Sequence, residues 1–169
     1  RFQALLHPRG QQINSAYEKA ITEFKYRSRY RGVFPIKVNQ LRKVVEEILG
    51  AGKPYQIGLE VGSKPELFAA LAIQENPKSL IICNGYKDKA YIKTALMGQK
   101  MGKSVVLVIE KMEELDPIVA VSEEMGIKPI LGVRVKLWSK ADGKWAASGG
   151  ENAKFGLGTA DLLALAKRL

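Results

Sequence analysis

At 169 residues, with 46% apolar and 26% charged side chains, the chain has the composition of an ordinary globular protein and the length for one sizeable hydrophobic core. No run of about 18 apolar residues implies a membrane span, and the apolar stretch within the first seven residues is too short for a secretory signal. The single cysteine, Cys83, has no partner for an internal disulfide and reads as a reduced, buried thiol in a cytoplasmic protein.

Lysine and arginine outnumber aspartate and glutamate 27 to 17, for a formal charge of +10. Such an excess raises nucleic-acid binding, and the densest stretch, Lys25-Tyr26-Arg27-Ser28-Arg29-Tyr30-Arg31, interleaves basic and aromatic residues as single-strand binders do. The other basic residues are spread along amphipathic segments. The stretch is therefore read as a solvated linker, with neither nucleic acid nor membrane expected as a partner.

In chain order, Ile13, Tyr17, Ala20, Ile21 and Phe24 fall on one face at helical spacing and predict a leading helix. After the basic linker, residues 32–38 predict a first strand. Leu41, Val44, Val45, Ile48 and Leu49 then mark an amphipathic helix, with Gly50 and Gly52 as stop signals. Residues 55–59 predict the second strand, and Ser63 and Glu66 have the spacing of a capping box for the helix that follows. Residues 79–83 and 104–109 predict the third and fourth strands, each followed by a helix, near 86–101 and 112–125. A fifth strand is expected within 129–135, then a polar, glycine-rich loop from about 139 to 158, and a last helix from about Thr159.

Strands apolar on both faces, each followed by a helix, argue for a parallel sheet covered by helices. The repeat is about 24 residues and five units are visible, whereas a complete (β/α)8 barrel needs about 250 residues. The expectation is an α/β fold, a partial (β/α)8 barrel of about five units (residues 32–169) behind a leading helix and basic linker (residues 1–31). An open doubly wound sheet fits the same alternation. Pro35 inside the first strand disagrees with a central barrel strand, because it removes a ladder donor; an edge or a bulge resolves the conflict.

Parallel β/α sheets carry their sites at the carboxyl ends of the strands. The polar residues closing the five apolar runs are Lys37, Glu60, Asn84, Glu110 and Arg134, spaced by 23 to 26 residues. All five are expected at one mouth, although strand ends facing solvent are polar for no functional reason. Lysine is almost wholly protonated at neutral pH. An apolar strand end favours the neutral amine, free to condense with an aldehyde, but a structural lysine fits the pattern too. No phosphate-binding glycine motif is present. One histidine and one cysteine leave no His/Cys metal site, and His7, ahead of the sheet, is read as structural.

Residues 33–40 (Val-Phe-Pro-Ile-Lys-Val-Asn-Gln) resemble the cofactor-lysine segment of the biosynthetic arginine decarboxylases, which depend on pyridoxal phosphate (PLP). The resemblance continues, in order, through residues 58–67, 82–88, 108–112, 131–134 and 148–157, the last containing Gly149-Gly150-Glu151 and Lys154-Phe155-Gly156. It covers nearly the whole chain and includes Pro35.

The resemblance implies a PLP barrel linked to a β domain, cytoplasmic, working as a homo-oligomer with magnesium commonly associated, its ligands unknown. The implied reaction converts L-arginine to agmatine and CO2 on the route to putrescine and spermidine. Lys37 would bind PLP covalently. Glu60, Asn84 and Arg134 would lie beside the cofactor, Glu60 and Arg134 as a pair because a buried unpartnered charge costs several kcal/mol. Lys154 would lie near a subunit interface. The carboxylate facing the pyridine nitrogen, the histidine stacking on the ring, the phosphate site and the guanidinium contacts lie further along in the family. The isolated chain is therefore expected to capture PLP weakly and to turn nothing over. The alternatives are an ornithine or diaminopimelate decarboxylase of the same fold, and a non-catalytic PLP-binding barrel.

Overall fold

The computed structural model describes residues 3–137 and 155–169. They form helices α1 (Gln3–Glu23), α2 (Arg42–Gly52), α3 (Lys64–Ile73), α4 (Lys89–Lys100), α5 (Leu115–Met125) and α6 (Thr159–Arg168). The strands among them are β1 (Val33–Pro35), β2 (Gly58–Val61), β3 (Leu80–Cys83), β4 (Ser104–Ile109) and β5 (Leu131–Val133). All pair in parallel in the order β1-β2-β3-β4-β5. A doubly wound sheet reverses direction about its first strand. Here each strand lies beside its predecessor, as in a (β/α)8 barrel, and the described part is five units of one.

The sheet's two faces differ. Leu59, Val61, Ile81, Cys83, Val105, Leu107 and Ile109 point to the helix side, each no more than 1% exposed, and pack with Leu67, Ile92, Leu96, Leu115 and Ile118. Burying each such aliphatic side chain contributes about 1.5–3 kcal/mol. Alternate residues point to the other face, where Pro35, Glu60, Ile82 and Val106 share one row across β1 to β4. That face is only half covered along β3 and β4. The half-covered positions Ile82, Val106 and Val108 are still apolar, as expected, and β2 is buried along its whole length.

Local chemistry sets the boundaries. β1 spans three residues and passes into a 3-10 turn over Ile36–Val38, shorter than the strand expected. Among the described residues β2 is the one strand beside β1, so the donor that Pro35 lacks interrupts no described two-sided ladder. The second strand starts later than predicted: Lys53–Tyr55 is another 3-10 turn, and Gln56 takes a left-handed φ of 56°. The expected capping box does not form, and Glu66 bonds one residue ahead of the cap instead. Ser63 makes no side-chain cap, while Glu66 Oε2 accepts from the Gly62 N–H at 2.7 Å. Asp88 caps α4 by accepting from the Tyr91 N–H at 2.8 Å. Its ion pair with Lys64 at 2.5 Å, ahead of that bond, holds its carboxyl below the usual range.

The leading helix begins ten residues earlier than its predicted apolar stripe, and that stripe is poorly used. Ile13, Tyr17 and Phe24 are exposed, whereas Asn14 is buried and donates to Gly10 O at 2.8 Å. α1 packs on α2, where His7 Nε2 meets Glu47 at 3.0 Å, the structural role expected of it. In the basic linker, Tyr30 stacks on Tyr17 with ring centroids 3.8 Å apart. No helix among the described residues is long and apolar enough to cross a membrane.

Candidate active site

Lys37, Glu60, Asn84 and Arg134, from the first, second, third and fifth β/α units, line one open cleft of about 530 Å3 on the inner face of the sheet. Its walls are apolar: Val33, Pro35, Val108 and Val133. Lys37 follows β1 directly in the 3-10 turn anchored by buried Ile36. It lies on the predicted rim and in the cleft, but its side chain is exposed, contrary to the burial expected. No described strand lies beyond β1 on that side of the rim.

Glu60 projects from the middle of β2 and is 8% exposed. Asn84 Nδ2 donates to its Oε1 at 2.9 Å. Asn84 is fixed in turn: its N–H donates to Val61 O at 2.8 Å and its carbonyl accepts from the Tyr91 hydroxyl at 3.2 Å.

The pairing expected between Glu60 and Arg134 does not form. Arg134 Nη1 donates instead to Glu110 Oε1 at 2.7 Å, because Glu110 closes β4, the strand adjacent to β5, whereas Glu60 lies two strands further away. Glu110, the fifth residue expected at the mouth, does not line the cleft, and its side chain is 3% exposed. Its Oε2 accepts from the Gly85 N–H at 2.6 Å. The Arg134 guanidinium also lies 5.8 Å from the ring centroid of Phe155, which attracts the cation.

Sequence reasoning did not single out two groups that complete this arrangement. The Lys87 side chain is fully buried, and its Nζ lies 2.7 Å from Gly85 O and 3.2 Å from Glu114 Oε1. Glu114 Oε2 accepts from the Glu110 N–H at 2.8 Å. The available signals were the Asn-Gly-Tyr-Lys-Asp turn and the four-residue spacing of Glu110 and Glu114 after β4. Gly85, at the centre, has φ +75°, and a Cβ there would lie 2.2 Å from Gly62 O. Only glycine fits.

Phe155–Leu157 returns to the same rim. Gly156 N–H donates to Glu110 O at 2.9 Å and Leu157 N–H to Arg134 O at 2.7 Å, and Leu157 forms an isolated parallel bridge with Val135. Lys154 and the Gly-Gly-Glu loop lie outside the described residues. Among the described residues no group of three His, Cys, Asp or Glu side chains could hold a metal ion. Cys83 is buried, as expected, and burial pushes its thiol up to about 12.

Residues 10–169 match the family model described as the pyridoxal-dependent decarboxylase, pyridoxal binding domain. The chain belongs to the pyridoxal-dependent decarboxylases. Among curated relatives, the biosynthetic arginine decarboxylase of Nostoc sp. (strain PCC 7120) is 46% identical over the whole chain, and that of Vibrio vulnificus (strain YJ016) is 48% identical. The chain spans about a quarter of the length of these relatives, 25% and 27%. Among solved structures, the biosynthetic arginine decarboxylase of Campylobacter jejuni superposes with a TM-score of 0.86 at 33% identity, over 99% of this chain and 26% of its own. A diaminopimelate decarboxylase from Helicobacter pylori gives a TM-score of 0.70 at 21% identity, over 94% of this chain and 38% of its own, a likeness of fold.

The cleft fits part of PLP on its own chemistry. It offers a primary amine for the aldehyde, a guanidinium for an anionic oxygen, and apolar walls for a flat ring, within the usual volume of a small-molecule site (roughly 300–1,000 Å3).

Proposed function

We propose that this chain is the PLP-binding part of an arginine decarboxylase whose whole length converts L-arginine to agmatine and CO2, supplying the route to putrescine and spermidine. The observation that carries the reading is the convergence of Lys37, Glu60, Asn84 and Arg134 on one cleft in a chain of this family. Arginine is favoured over ornithine or diaminopimelate because relatives at 46–48% identity carry the arginine name, whereas the diaminopimelate enzymes stand at 20–21%.

The net reaction breaks the bond between the substrate's α-carbon and its carboxylate and puts a proton on that carbon. PLP supplies the electron sink for this when bound. Lys37 is the amine that tethers the cofactor, and its exposure leaves the nitrogen accessible to an incoming aldehyde. The Glu60 carboxylate, oriented by the Asn84 amide, presents negative charge to the cleft, where it can hold a proton close to the ring. Arg134 offers a cation to an anionic oxygen, and its bond to Glu110 keeps the guanidinium from swinging into solvent. The valines and Pro35 exclude water from one side.

Residues 1–31 serve as a leading segment docked on the barrel portion, 32–169, a division supported by the packing of α1 on α2. The whole protein works as a cytoplasmic homo-oligomer that uses magnesium, with Lys154 near a subunit interface. The 169-residue chain alone captures PLP weakly and releases no CO2. The test is CO2 release by the full-length protein given arginine, ornithine or diaminopimelate in turn. Arginine is expected to win by about 100-fold or more, because a site built to pair a guanidinium strongly rejects substrates lacking it. Preference for either rival moves the substrate, and PLP binding with no CO2 from any of them identifies a non-catalytic carrier.

A further inference from the structure

Lys87 and Glu114 touch no part of the cleft, yet they are buried where charge is expensive. Removing an ammonium from water costs several kcal/mol unless it is paired and hydrogen-bonded, and Lys87 has both: Gly85 O at 2.7 Å and both Glu114 oxygens at 3.2 and 3.3 Å, with Glu110 Oε2 at 3.9 Å. The contacts continue in one direction. Glu114 accepts from the Glu110 N–H, Glu110 accepts from the Gly85 N–H and from Arg134, and Arg134 enters the cleft. Two cations and two carboxylates balance. The chain of contacts ties the segments that follow β3, β4 and β5 into one unit.

Gly85 is gripped at both ends of its peptide units, its N–H by Glu110 and its carbonyl by Lys87. Arg134 is half-exposed, 45% at its side chain, and a half-exposed arginine has many rotamers to lose. A carboxylate held by the Gly85 N–H and the Lys87 ammonium limits them.

We propose that Lys87 and Glu114 are positioning residues that hold Glu110, and through it Arg134, in the geometry that binds the anionic cofactor. The inference rests on the PLP reading of the cleft. Lys87 contributes to PLP affinity only by way of Arg134, so the two residues are coupled although Lys87 is not in the cleft.

The experiment is a double-mutant cycle on the full-length protein, read as the PLP dissociation constant from absorbance or fluorescence titration. Lys87→Met and Arg134→Gln are each expected to weaken PLP binding about tenfold, and the double variant to bind no worse than Arg134→Gln alone. Losses that multiply to about 100-fold, or wild-type affinity in Lys87→Met, overturn the inference while leaving the cofactor reading intact. Should Lys87→Met fail to fold, Lys87→Met with Glu114→Gln removes both charges at once and enters the same cycle with the same expected coupling. Wild-type protein that binds no PLP overturns the cofactor reading and this inference with it.

Discussion

Glu110→Ala isolates the interactions that order the rim. The carboxylate accepts a 2.6 Å bond from the Gly85 N–H and a 2.7 Å bond from Arg134, and stands 3.9 Å from the fully buried Lys87 ammonium. A hydrogen bond to an ionised acceptor contributes about 1.5–3 kcal/mol, and the Gly85 N–H is left unsatisfied without it. The Arg134 pair adds less, at most about 1 kcal/mol, because a guanidinium 45% exposed recovers water. Lys87 keeps Glu114 and loses only its more distant counter-charge. The sum is about 3 kcal/mol, which for a chain of this size lowers the melting temperature by roughly 6–12 °C. Glu110→Gln keeps one acceptor and presents an amide N–H to a donor, so about half of that loss is expected. Thermal melts of parent and variants, followed by circular dichroism, check both values. A Glu110→Ala protein melting within about 1 °C of the parent would refute the claim that this carboxylate holds the rim together.

Gly85→Ala should be more disruptive than its size suggests, since its Cβ would lie 2.2 Å from Gly62 O at a φ of +75°. A loss of about 2 kcal/mol or more is expected, seen as a lower urea midpoint; an unchanged midpoint contradicts the close approach. Cys83, with burial pushing its thiol up to about 12, should resist alkylation at about pH 8 in native protein and react within minutes once denatured. Rapid labelling under native conditions would show the core to be open there.

The sequence carried the order of the elements because each unit has a strong period: β4 is found at Ser104–Ile109 as predicted, a run of β-branched residues with no competing turn. Less was legible where backbone geometry overrides pattern. Tyr55 and Gln56 look like strand residues, but Pro54 sets a 3-10 turn and Gln56 adopts a left-handed conformation. The site residues were found by a periodic rule, one polar residue per strand end; Lys37, Glu60, Asn84 and Arg134 do share one cleft, and Glu110, the fifth, does not line it. It could not supply their partners. Whether Arg134 meets Glu60 or Glu110 depends on strand adjacency in space, and nothing in Lys87's exposed-looking neighbours, Tyr86 and Asp88, announces a buried charge. The exposure of Lys37 has a related reason: burial depends on what stands beside a strand, and no described strand stands on the far side of β1.

The proposed chemistry depends on the Lys37 amine being the atom that takes the cofactor's aldehyde. Incubating the full-length protein with PLP, reducing with borohydride and mapping the labelled peptide by mass spectrometry tests this directly. The predicted result is one stoichiometric pyridoxyl group on Lys37, absent from Lys37→Ala. Label scattered over surface lysines, or retained in full by that variant, contradicts the assignment.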